Sequence, residues 1–391
     1  MRRLIAFCDG TWNRADWNGG SATNVVRLMR AVLPEARATA TSPAIPQLAY
    51  YRQGVGTGNQ IDRALGGGLG LGLAENVRDA YAFIANNYEP GDEIFLVGFS
   101  RGAFTARTVA GVIGTVGLLQ KQQMGGFMDA WGFHRLDVEE RQRRQKEFDS
   151  IFPDRLTDVP IRCIAVFDTV GALGVPANRF TRNWHPCKET YQFKNGVLGI
   201  HVQHAFQALA IDEQRPPFEP VVWEQSASAP ASQVLKQVWF AGVHSDIGGG
   251  YADHGASDVA LTWIAAELAS QGLLALDERA LSKELDESKP YGLGAIHDSF
   301  TSSYRIAFSR TQRPICQSAT EYIHESVARR IQAGGYRNAD FLSKYTSRIT
   351  PLLPMEQQLG AYTPAPMVKR LVFDTGPKSF CARFVAWLEG R

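Results

Sequence analysis

The chain has 391 residues, 45% of them apolar and 20% charged, enough to bury a substantial core and too apolar for a disordered chain. Lys plus Arg is 41 against 39 for Asp plus Glu, a formal charge of +2, so no field of one sign exists to grip a nucleic-acid backbone. The five cysteines are odd in number and form no C-x-x-C pair, which argues against both a disulfide framework and a zinc ribbon.

The first apolar run, Leu4 to Cys8, stops at Asp9. It is too short for a signal-peptide core and reads as a buried strand feeding a loop. Asn24 to Leu33 carries Val25, Leu28, Met29 and Val32 at helical spacing and stops before Pro34. Gln47 to Arg52 reads as a second strand, followed by a glycine-rich stretch, Gly54 to Gly72. Ala74 to Tyr88 predicts a helix, Glu93 to Gly98 an apolar strand, and Arg101 onward a helix towards Gly117. Residues 120–158 differ in composition and predict a helical insertion, its charged half exposed. Pro160 to Asp168 is a core strand, Asn195 to Ile211 reads as a helix, Val238 to Val243 as a strand and Ser257 to Ser270 as an amphipathic helix. Residues 279–350 lose periodicity and predict a cap or long loops; Leu371 to Phe373 suggests an outer strand and Phe380 to Leu388 a last helix. The alternation predicts an α/β fold: a single domain over residues 1–391, with a mostly parallel sheet and helices on both faces. No stretch approaches the length of a membrane span, so the sequence predicts a soluble, cytoplasmic protein, with leaderless export left open.

Gly98-Phe99-Ser100-Arg101-Gly102 fits G-x-S-x-G between a strand and a helix. A turn that tight tolerates only minimal side chains on either side of the serine. It leaves the serine hydroxyl above the sheet, beside a helix N-terminus that favours an oxyanion. A serine nucleophile needs a base and the base needs an acid, in the chain order Ser, Asp or Glu, His. Asp168 ends the strand that begins near Pro160, and His244 follows the strand Val238 to Val243 and precedes a glycine loop. His201 and His204 fall in the predicted helix, and His134, His185, His254, His297 and His324 in polar segments away from strand ends. Asp246 and Asp212 remain rival acids. For the oxyanion, the N–H of Arg101 and that of Gly10 or Thr11, after the first strand, are the candidates.

The glycine stretch lacks the P-loop pattern. Its interleaved leucines, Leu69 and Leu71 among them, suit either a substrate-access loop near an acyl chain or plain core packing. His244, Asp246, Asp253 and His254 have no familiar metal-ligand spacing, so no metal and no cofactor are expected.

The blocks Phe7-Cys8-Asp9-Gly10-Thr11-Trp12-Asn13, Tyr50-Tyr51-x-x-Gly54-Val55-Gly56-Thr57, Gly98 to Ala103, Phe167-Asp168-Thr169-Val170-Gly171 and Gly242 to Tyr251 occur in this order. Together they resemble the DUF2235 family of α/β-hydrolases, which includes a group of type VI secretion phospholipase effectors. The resemblance implies a Ser–Asp–His hydrolase with Ser100, Asp168 and His244 in those roles. It implies ester substrates, phospholipid acyl esters for some members. The predicted function is a carboxylic ester hydrolase acting through an acyl-enzyme on a small-molecule or lipid ester. The alternatives are a phospholipase A in peripheral contact with membranes and a non-catalytic ligand-binding member of the fold.

Overall fold

The computed structural model describes residues 1–10, 21–39, 43–54, 68–171, 196–286, 290–301, 304–305, 308–336, 338 and 343–360. By its contacts the chain divides into Met1–Ala361 and Tyr362–Arg391. The second unit, with the strand and helix expected after residue 370, lies outside the described residues.

The first unit is built on a nine-stranded sheet. Its strands are β1 (Arg3–Cys8), β2 (Glu35–Ala36), β3 (Ile45–Arg52), β4 (Glu93–Phe99), β5 (Ile161–Phe167), β7 (Val202–Ala210), β9 (Val234–Phe240), β10 (Glu321–His324) and β11 (Ile349–Thr350); β6 (Val197–Leu198) and β8 (Glu224–Gln225) form a separate pair. The order is β11-β10-β9-β7-β5-β4-β1-β3-β2, with every pairing parallel except β2 with β3. The central strands are largely apolar because both faces are covered. One face of β1, β4 and β5 (Ala6, Leu96, Ile164) meets the helices α2 (Gly68–Asn87), α3 (Arg101–Val116), α4 (Phe127–Arg135) and α5 (Val138–Ile151). The other face (Phe7, Phe95, Phe167) meets α1 (Asn24–Ala31), which precedes these in the chain, and α7 (Ser257–Ser270) with α8 (Glu278–Ser282). A short helix, α6 (His244–Gly248), follows β9. Among the described residues no helix is long and apolar enough to cross a membrane.

Three local expectations are corrected. Asn195 to Ile211 is not a helix: Val202–Ala210 is strand β7, paired on both sides with β5 and β9. Its alanines and glutamines carry weak strand propensity, and the sheet imposes the conformation. His201 and His204 are therefore not helical; His201 Nε2 meets the Ala110 carbonyl and His204 Nδ1 the Arg162 carbonyl. His324, expected away from strand ends, closes β10, where it stacks on Phe240 and meets Glu356 at 2.8 Å. Within 279–350, β10 and β11 extend the sheet beyond β9.

The sheet order reverses at β1. From it the chain goes to β3 on one side and to β4, β5, β7 and β9 in succession on the other. The crevice beyond the carboxyl ends of β1 and β4 is where parallel α/β sheets bind ligands. Here the turn from β4 into α3 is pressed against the end of β1. A Cβ on Gly102 would lie 2.1 Å from the Cys8 carbonyl oxygen and 2.4 Å from that of Asp9; one on Gly98 would lie 2.6 Å from the Gly102 oxygen. Gly102→Ala forces one of these backbones to move and should destabilise the protein by at least the ~1–3 kcal/mol typical of overpacking. Urea unfolding measures it, and a midpoint equal to wild type would contradict the close packing described.

Candidate active site

Ser100 sits between β4 and α3 with φ 58° and ψ −123°, a conformation disfavoured for a residue with a Cβ. Its N–H donates to the Phe167 carbonyl at 3.0 Å, and its own carbonyl accepts the Phe104 N–H at 3.1 Å. The turn is thus tied to the end of β5 on one side and to the helix on the other. The side chain is 7% exposed and meets His244 Nε2 at 2.8 Å.

His244 is the first residue of α6, at the end of the β9 turn. Its ring lies between Phe99 and the edge-on Phe218, at centroid distances of 4.7 and 4.9 Å. Its Nδ1 meets Asp168 Oδ2 at 2.6 Å. An Nδ1–H held by a carboxylate leaves Nε2 as the acceptor facing Ser100.

Asp168, fully buried, follows β5 with φ 39°. Its Oδ1 accepts the Ala210 N–H at 3.0 Å. The Arg313 guanidinium forks onto it, Nη1 to Oδ1 at 2.7 Å and Nη2 to Oδ2 at 3.0 Å. Burial pushes its pKa up, but the Arg313 charge and the His244 and Arg313 hydrogen bonds outweigh that and hold the carboxyl well below the usual range.

The rival acids go elsewhere. Asp246 Oδ1 meets His297 Nδ1 at 2.6 Å, and its Oδ2 accepts the Val243 N–H. Asp212 Oδ2 accepts the Gly242 N–H at 2.7 Å and the Tyr336 hydroxyl at 3.0 Å, bracing the turn before His244. Glu213 supports His244 from behind: its Oε2 accepts the His244 N–H at 3.2 Å, and Arg215 pairs with it at 2.8 Å. Of the residues weighed as metal ligands, His254 is bonded to Asp258 at 2.9 Å.

Of the oxyanion candidates, the Arg101 N–H opens α3, ahead of that helix's own hydrogen-bond ladder. The Gly10 N–H is turned onto Asp9 Oδ1 at 2.7 Å, and Thr11 lies outside the described residues. Leu69 and Leu71 belong to the first turn of α2; their side chains, and residues 55–67 of the proposed access loop, are also outside them. Pattern reasoning missed Arg313, Arg215, Phe218, His297 and Ser299. Glu213 carried a signal, a carboxylate just past the end of β7; Arg313 carried none.

The fold and this arrangement at the strand ends define an α/β-hydrolase-like class. A family model described as the T6SS phospholipase effector Tle1-like catalytic domain matches residues 2–267, and the chain belongs to that family. An uncharacterized protein of Saccharomyces cerevisiae, YEL023C, is 25% identical over 239 residues, 56% of this chain and 32% of that protein. Two solved structures are similar. The Tle1 effector bound to the VgrG spike of the type 6 secretion system shares 21% identity over 64% of this chain and 51% of its own, with a TM-score of 0.35. An uncharacterized protein from Pseudomonas aeruginosa shares 17% over 71% and 46%, with a TM-score of 0.38. The chain thus spans about a third of the yeast relative and about half of each solved chain.

Beside the site, Asp9 is buried at the end of β1, where it accepts from Gly10 N–H, the Thr23 hydroxyl (2.9 Å) and the Tyr51 hydroxyl (2.7 Å). Burial outweighs these bonds and raises its pKa from 3.8 to about 6. The folded state therefore holds a proton that the unfolded state has released. This group's contribution to stability is complete below pH ~4 and is lost as pH rises through ~6. Asp9→Asn, which cannot titrate, should lessen the fall in stability between these limits by on the order of 3 kcal/mol. Urea titrations at both pH values test it; an unaltered pH dependence would assign the titration to another group.

Proposed function

We propose that the chain is a serine hydrolase that cleaves carboxylic acyl esters through an acyl-enzyme. The observation that carries this reading is the unbroken line from Ser100 Oγ through both nitrogens of His244 to Asp168, at 2.8 and 2.6 Å. His244 Nε2 takes the Ser100 proton as the oxygen attacks the acyl carbonyl. Asp168 keeps the proton on Nδ1 and offsets the imidazolium charge. The tetrahedral oxyanion accepts from the Arg101 N–H and from a second N–H at Thr11 or Gly10, the latter only once it leaves the Asp9 carboxylate. The imidazolium then protonates the departing alcohol, and water activated by His244 releases the acid.

The family to which residues 2–267 belong supports a phospholipid acyl ester as the substrate, and with it phospholipase A activity. A cavity of about 970 Å³ supports an acyl chain of some length. Its lining follows α3 from Phe104 to Thr115 against Trp131, Ile164 and Trp223, carries Arg107, Asp137 and Arg141 as well, and does not include Ser100, Asp168 or His244. The exposed apolar residues Val138, Val197 and Ile200 stand on its lining, a feature suited to peripheral contact with lipid.

Ser100→Ala should abolish labelling by a fluorophosphonate probe and lower turnover of p-nitrophenyl esters by on the order of 10³ or more. Asp168→Asn should lower kcat by several decades with little change in KM, and Asp246→Asn far less. Continued labelling of the alanine variant, or the reverse order of the two aspartates, would refute the assignment. For the acyl chain, Thr108→Phe places a ring in the cavity. It should reduce turnover of long-chain esters at least ~10-fold relative to short ones. An unchanged chain-length profile, with folding intact, would remove the cavity from the substrate path.

A further inference from the structure

The family match ends at residue 267, yet three side chains beyond it reach the acids around His244. His297 meets Asp246, the Ser299 hydroxyl donates to both Glu213 oxygens at 3.0 Å, and Arg313 forks onto Asp168. Arg313 is the most deeply committed. Its side chain is 4% exposed, and besides the carboxylate it donates to the carbonyls of Ala210 (2.9 Å), at the end of β7, and Phe218. Phe218 in turn packs edge-on against the His244 ring.

We propose that Arg313 is a positioning residue for the Asp168–His244 pair, supplied by a segment outside the matched catalytic region. The inference rests on the Ser100–His244–Asp168 reading. Its physical content is that a fork onto both carboxylate oxygens fixes the rotation of Asp168, so that Oδ2 stays aimed at Nδ1. The guanidinium also neutralises the carboxylate. When His244 takes the Ser100 proton, the buried group becomes cation, anion and cation, with a net charge of +1. The acids near His244 have other partners: Glu213 pairs with Arg215, and Asp246 is hydrogen-bonded to His297. The Phe99 and Phe218 rings pack against the imidazole without adding charge.

The test is the rate of fluorophosphonate labelling, with kcat and KM measured separately on a soluble ester, for the full chain and for Arg313→Met, Arg313→Gln and Arg313→Lys. The uncharged variants should lose on the order of 10²-fold in kcat through misplacement of the base. KM should change little, because Arg313 acts through Asp168 and His244. Arg313→Lys restores the charge without the fork, so kcat should recover only in part. An unchanged kcat in every variant overturns the proposal, as does loss of folding, followed by circular dichroism, in all three. Labelling of the wild type that does not depend on Ser100 would instead remove the underlying reading, so the two failures are separable.

Discussion

Ser100 is held at a positive φ by two opposing contacts: its N–H is tied to the end of β5 and its carbonyl to α3. That constraint dictates much else. The helix has to leave the strand at once, which brings Gly102 under the Cys8 and Asp9 carbonyls and leaves no room for a side chain. The end of β1 is thereby set beside the serine, and the N-terminal N–H groups of α3 are left facing the crevice. The sheet's reversal at β1 makes that crevice available, because the chain after β1 departs in the other direction.

Around this turn the electrostatics follow one rule. Each buried acid near His244 has its own partner: Asp168 has Arg313, Glu213 has Arg215 and Asp246 has His297. Only Asp168 also faces the imidazole Nδ1. The separation lets one carboxylate act on the ring while its neighbours brace the loops that carry it. It also explains how three carboxylates occupy a small volume without prohibitive desolvation.

The strands β1, β4 and β5 were legible because burial on both faces makes them dense apolar runs, broken in β5 only by Arg162, and the turn glycines at 98 and 102 mark the sharp exit from β4. Ser100, Asp168 and His244 each lie just past a strand, a position sequence can read. β7 was misread because Ala205, Ala208, Ala210 and the glutamines hold no strand preference of their own; β5 and β9 on either side decide it. Separating Asp168 from Asp246 and Asp212 needed knowledge of partners at His297 and Tyr336, far along the chain. Arg313 lies 145 residues from Asp168, in an irregular stretch with no periodicity, so no local pattern could announce it.

The strand order has a bearing on how the chain is assembled during synthesis. After β3 and β4 flank β1, each later strand is added to the same margin in the order in which it leaves the ribosome: β5, β7, β9, β10, β11. Every intermediate then presents an unpaired parallel margin until its successor arrives, a hazard for slow-forming, non-local pairings. Among the described residues the sheet ends on strands of two residues, β2 and β11. β2 pairs with only Ile45 and Pro46 of the eight residues of β3, so on that side the longer ladder, not the terminal strand, is what a second nascent chain would meet.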